Sequence, residues 1–214
     1  MTIIVSTALS TIGTSTYGVL QSRIADDLNR TDLTTQIPQN ILLAIEHYKN
    51  EATWFNETSQ TLTATVGQAY VNPPTDLLAI EDLYITISGI DIRLVPQERN
   101  DVIEFRPTSN GRPLAYCFYQ GRFELDRKPD TAYSLPLYYR AQLLALSGTS
   151  DANIWTTDCE DLIVFHAEKM LYANVVKDFE KATAAGAQEA AALTRLRSLN
   201  ISRTMTGYTK PVYL

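Results

Sequence analysis

Residues 37–66 read IPQNILLAIEHYKNEATWFNETSQTLTATV, and within this stretch the hydrophobic period changes from helical to alternating. Ile37, Ile41, Ala44, Ile45, Tyr48, Ala52 and Phe55 fall in one band about 100° wide on a helical projection, with Glu46, Lys49 and Asn50 opposite. Pro38 sits in the first turn, where its missing N–H leaves no helical hydrogen bond unmade. Leu43 and Trp54 fall outside the band, which predicts a second contact surface. From Thr61 the chain alternates Thr-Leu-Thr-Ala-Thr-Val66, the pattern of a half-buried strand.

The period of two persists outward toward the C-terminus. Leu83–Ser88, Gly89 and Ile90–Leu94 predict a hairpin, as do Tyr116–Tyr119, Gln120-Gly121 and Arg122–Leu125. Tyr133–Gln142 is a further strand, and Val102 and Phe105 suggest a short helix between Pro96 and Pro107. Toward the N-terminus, Tyr17, Leu20, Ile24 and Leu28 form a helical stripe that Ser15 or Thr16 caps and Asn29–Asp32 ends. Residues 1–14 are rich in Ser, Thr and Ile without a clear period and read as an extended arm that orders on assembly.

Past the β-region, Asp158–Phe179 predicts one long helix apolar on most sides. Val164, Phe165, Leu171, Tyr172, Val175, Val176 and Phe179 make its main band; Ile163, Ala167 and Met170 make a second face. Ala182–Gly186 reads as a soft joint, and Ala187–Leu199 as a final helix with Leu193 and Leu196 on one face. The expected fold is α+β: a helical bundle formed from both chain ends, with an inserted antiparallel β-rich region. Its parts are an arm with two bundle helices (1–57), the β-rich insertion (58–150), bundle helices (151–199) and a C-terminal tail (200–214).

Of the chain's 214 residues, 45% are hydrophobic and 20% charged, as in ordinary globular proteins. The formal net charge is −6, which argues against a protein that grips nucleic acid through a basic face. The charge is uneven. Residues 190–214 hold Arg195, Arg197, Arg203 and Lys210 and no acid, a formal +4, so residues 1–189 carry −10. A basic tail on an acidic body suits docking to an acidic partner. The first residues do not resemble a secretory signal, and no window has the roughly 20 apolar residues of a membrane helix. Cys117 and Cys159 make no disulfide framework and read as buried, inert thiols from a reducing compartment.

Catalytic and metal motifs are sparse. His47 beside Glu46 lacks the second histidine of a zinc-protease helix and reads as a solvent-facing side chain. Cys159 and His166 lie two turns apart on one helix, about 10 Å, too far for a hydrogen-bonded dyad. Asp26-Asp27, Glu81-Asp82 and Glu160-Asp161 read as solvated pairs that diverge rather than converge on one ligand. Glu168 falls inside the apolar band of its helix and requires a basic partner, within the subunit or across an interface. No phosphate-binding or dinucleotide glycine motif is present, so no cofactor is expected.

The order of elements, with several phrases, resembles the head-to-tail adaptor (connector) proteins of podovirus-like bacteriophages, including the tail tubular protein A group. The phrases are Arg23-Ile-Ala-Asp-Asp-Leu28-Asn29-Arg30, Trp54-Phe55-Asn56-Glu57 before an alternating strand, Gly67-Gln68-Ala69-Tyr70 and Pro73-Pro74-Thr75-Asp76. Pro113-Leu-Ala-Tyr116, Gly121-Arg-Phe-Glu-Leu125 and Pro129-Asp130 with Tyr133 follow. The resemblance implies a structural virion protein of the neck, made in the host cytoplasm, with no catalytic residues. It implies a ring, usually of twelve copies, that binds the portal protein, extends the DNA channel and presents a platform to a tail or nozzle protein. Passing DNA would not be bound specifically. Charge then nominates Arg195, Arg197, Arg203, Lys210, Tyr213 and Leu214 for portal docking, and the apolar pattern nominates Glu168, Tyr172, Val176, Phe179 and Trp54 for the subunit interface. The competing readings are a stopper or tail-terminator ring, a small enzyme using carboxylates brought together by folding, and a nucleic-acid binder using the Arg-rich tail.

Overall fold

A computed structural model of the chain describes residues 15–51, 53–104 and 106–204. The N-terminal arm, Ala52, Phe105, Lys210, Tyr213 and Leu214 lie outside the described residues. The fold is α+β, with helices from both chain ends flanking a β-region. Two compact units result: residues up to Glu51 join those from Leu144 onward, and Ala52–Leu143 form the other.

The helical unit begins with α1 (Tyr17–Leu28), whose stripe of Tyr17, Leu20, Ile24 and Leu28 is buried as its spacing predicts. Thr16 accepts a hydrogen bond from the Val19 N–H, and Asn29 ends the helix in the left-handed conformation at φ 52°. The first N–H groups of α1 are satisfied by a loop: Tyr17 donates to the Asp151 carbonyl and Gly18 to that of Thr149, at 2.8 and 2.9 Å. That approach requires a glycine, because a Cβ at position 18 would lie 2.9 Å from the Thr149 oxygen. In α2 (Gln36–Tyr48), Ile37, Ile41, Ala44 and Tyr48 are buried, while Leu43, outside the band, is 58% exposed. The helix stops at Tyr48, seven residues short of Phe55; Trp54–Asn56 form a separate 3₁₀ turn.

The β unit holds two four-stranded sheets. In chain order its strands are β1 (Glu57–Ala64), β2 (Tyr70–Val71), β3 (Leu77–Ile87), β4 (Ile90–Arg93) and β5 (Val95–Pro96); after the helix α3 (Arg99–Glu104) come β6 (Ala115–Tyr119), β7 (Arg122–Leu125) and β8 (Tyr133–Ala141). The sheet orders are β1-β8-β3-β4 and β2-β7-β6-β5. All described pairings are antiparallel except β5 with β6. Leu62, Leu83, Ile85, Leu135 and Leu137 from the first sheet meet Val71, Phe123 and Leu125 from the second in one apolar core. Each fully buried Leu or Phe contributes roughly 1.5–3 kcal/mol.

Both hairpins form where expected. Gln120 and Gly121, like Ser88 and Gly89, have positive φ at both turn positions, the geometry that matches strand twist. The strand read from Leu83 starts at Leu77, because register shifts between Leu77 and Ala79 and between Ile80 and Asp82 break its alternation.

The chain returns to the helical unit through α4 (Ile154–Thr157), capped by Asn153, and α5 (Glu160–Leu171). The expected long helix is interrupted. Tyr172–Val176 form a π-turn, Lys177 turns left-handed at φ 63°, and α6 (Phe179–Thr204) runs for 26 residues. Ala182–Gly186 is therefore no joint but part of α6. Ala182 and Ala185 are buried, and a Cβ on Gly186 would approach the Lys169 side chain at 3.4 Å, so small residues serve close packing against α5.

Candidate functional site

The polar centre of the helical unit is Glu189 of α6, 7% exposed. Its Oε1 accepts from the Tyr48 hydroxyl at 2.5 Å and lies 2.6 Å from His166 Nδ1, while Oε2 accepts from Lys169 Nζ at 2.5 Å. His166 and Lys169 stand one turn apart on α5, so a single carboxylate ties α2, α5 and α6 together. Burial alone would raise the Glu189 carboxyl; the bonds from Lys169, Tyr48 and His166 outweigh it and hold the pKa at about 2. Burial, aided by the charge of Lys169, holds His166 below its ordinary value, so a neutral imidazole donates its Nδ1–H to the carboxylate. His47 is exposed, as its sequence context predicts, yet its ring stacks on that of His166 with centroids 4.8 Å apart.

Glu168 lies elsewhere on α5, 6% exposed, and its partner corrects the sequence expectation. Instead of a cation it meets the carboxyl of Asp27 on α1. Burial first, then the hydrogen bond and charge of Asp27, push the Glu168 pKa up to about 8. Its Oε1 is buried without a hydrogen-bond partner, and the Tyr172 hydroxyl donates to the Asp27 carbonyl at 3.1 Å. Arg23, whose charge acts against this rise, is committed elsewhere. Arg23 donates from Nη1 to Glu160 at 2.8 Å and from Nη2 to Asp161 at 3.0 Å. These adjacent carboxylates do converge on one group, contrary to their sequence reading, because the guanidinium fork spans the gap between them.

The nominated interface residues separate. Glu168 and Tyr172 are buried within the subunit against α1; Val176 is half-buried and Phe179 is 68% exposed. Trp54 belongs to the β unit, half-buried, edge-on to Phe55 at 5.1 Å. Of the docking set, Arg195, Arg197 and Arg203 are exposed on α6, which runs on through Thr204 where a tail was expected from residue 200. Arg197 already donates to Glu51 at 2.7 Å. Arg195 stands at a groove of about 430 Å³ between α5 and α6, floored by Leu162, Phe165, Ala191, Ala192 and Leu199. Cys159 also lines it, with its thiol pushed up to about 12 by burial, which makes it inert.

Among the described residues no group of three or more His, Cys, Asp or Glu side chains converges to hold a metal ion. No described helix is long and apolar enough to cross a membrane. The carboxylates that folding does bring together, Asp27 and Glu168, do not line the groove. The sequence missed the histidine stack and the Asp27–Glu168 pair, since neither has a local signal.

Comparison with known families fits a fold whose polar groups are spent on holding helices together. No curated protein sequence matches the chain. A family model described as the SU10 adaptor protein matches residues 15–212, from the cap of α1 past the end of α6. The chain therefore belongs to the SU10 adaptor protein family and is a phage adaptor protein, a structural component of the virion.

Proposed function

We propose that this adaptor joins the portal vertex of the phage head to the tail, as a ring of copies that lengthens the DNA channel. The family match over nearly the whole chain carries the reading. In this reading it is a neck protein akin to the podoviral tail tubular protein A group, with twelve copies in the ring. Two surface features support it. At the α5–α6 turn, Val175 is 38% and Phe179 68% exposed, an apolar patch that a neighbouring copy would cover together with Val176. The last turns of α6 carry Arg195 and Arg203 on an otherwise acidic chain, with Lys210, Tyr213 and Leu214 beyond, which suits docking on an acidic portal surface. A net charge of −6 suits a channel wall that DNA passes without sticking.

The test is the mass of the purified protein by light scattering, alone and with its portal, with images of each peak. A ring, or a portal complex of ring stoichiometry, is expected. A monomer that ignores the portal overturns the reading. Phe179→Ser should leave the circular dichroism spectrum unchanged and weaken assembly at least tenfold. Deletion of residues 205–214, which spares α6, should abolish portal binding.

A further inference from the structure

The sheet β1-β8-β3-β4 has two outer strands, and they differ in how they are defended. An outer strand presents a row of unpaired N–H and C=O groups, and proteins blunt such edges with charge, proline, bulges or short length. β4 is four residues long and carries Asp91 and Arg93, the latter ion-paired to Asp82. The outer strands of the second sheet, β2 and β5, are two residues each, and β5 contains Pro96. β1 has none of these devices. It runs eight residues, Glu57–Ala64, in unbroken register with β8, with no proline and Glu57 as its one charge. Glu57 through Thr61 are all exposed, as is Thr63, so the outer side of this strand is lined by small hydroxyl and amide side chains.

The chain itself holds a segment suited to such an edge. Residues 2–9 read Thr-Ile-Ile-Val-Ser-Thr-Ala-Leu; five of these eight are β-branched, and residues 1–14 bear no charged side chain. As a strand this segment would set Ile3, Val5, Thr7 and Leu9 on one face and Ile4, Ser6 and Ala8 on the other. Eight residues of strand span roughly 26 Å, so residues 2–9 match β1 in length. Neither segment brings like charges together. We infer that the open edge of β1 is an assembly site that takes residues 2–9 of a second copy of this chain as an added strand. The inference rests on the ring reading above, because it needs copies held side by side. Backbone hydrogen bonds supply the attachment, and the β-branched side chains on both faces of the added strand pack against those of the sheet.

The test uses the full-length chain. Copies carrying Ser6→Cys are mixed with copies carrying Ser59→Cys, Thr61→Cys or Thr63→Cys, then oxidised; the native Cys117 and Cys159 are buried and stay silent. A disulfide-linked dimer is expected in at least one mixture. In parallel, deletion of residues 2–9 should weaken assembly at least tenfold, and so should Thr61→Lys, which alters only an exposed side chain. No crosslink between the two variants in any mixture, while the wild type forms its ring, overturns the inference and leaves the ring reading standing. A truncated chain that assembles at the wild-type concentration does the same. A wild type that stays monomeric alone and with its portal overturns both.

Discussion

The two units bury charge in different company. In the β unit Glu124, 5% exposed, lies between two guanidinium groups: Arg106 donates to it at 3.0 Å and Arg122 at 2.7 Å. Arginine keeps its charge at every accessible pH. In the helical unit Glu189 is held by a phenol, a neutral imidazole and an ammonium, and Glu168 by another acid. The β unit thus sets its buried acid against permanent cations, whereas the helical unit sets its own against groups that titrate. The two tryptophans fall one in each unit, Trp54 and Trp155, so Trp54→Phe and Trp155→Phe chains report on each separately.

The comparison breaks most readily at Glu189. Glu189→Ala leaves the Tyr48 hydroxyl, His166 and Lys169 facing an empty polar slot. It should cost the helical unit about 4 kcal/mol in urea unfolding followed by Trp155, as removal of one partner of a buried ion pair does. An equal shift at Trp54 would refute the separateness of the units.

Glu168 sharpens the contrast next. Its folded pKa, about 8, lies above its unfolded value. The folded state therefore binds more protons between about pH 4.3 and 8, and stability falls as pH rises through that window. Glu168→Gln should remove this slope and raise the helical unit's stability by about 3 kcal/mol at pH 9. Glu189 acts oppositely: its stabilisation, complete above about pH 4.3, is lost as pH falls toward about 2. Glu124→Ala should cost the β unit about 2 kcal/mol, with no change at Trp155. Arg197→Ala, which removes an exposed pair with Glu51, should leave the unfolding midpoint of the helical unit nearly unchanged.

The β unit was also the more legible in sequence, and for a related reason. Its hairpins announce themselves through adjacent residues: Gln120-Gly121 and Ser88-Gly89 supply the positive φ values their turns need. The stripe of α1 and the cap at Thr16 are equally local. The break after α5 is not, because Lys177 adopts a left-handed conformation that lysine rarely signals, and the π-turn before it keeps a helical pattern. Ala182–Gly186 misleads in the other direction, since small residues mark both loose joints and tight helix contacts. Glu168 stood out correctly as anomalous within its band. Its partner could not be named, because Asp27 lies 141 positions away and a buried acid more often finds a base. Glu189 gave no signal, for its three partners come from two other helices.

The unequal lengths of α5 and α6 have a consequence in hydrogen exchange. At 1.5 Å per residue the 12-residue α5 is about 18 Å long and the 26-residue α6 about 39 Å. Leu196 is the last buried residue among the described side chains of α6. Amide protons around Ala185 and Glu189 should exchange only when the helical unit unfolds, whereas those after Leu196 should exchange orders of magnitude faster through local fraying. α6 is thus anchored by buried side chains over its first two-thirds and by surface contacts such as Arg197 with Glu51 beyond them.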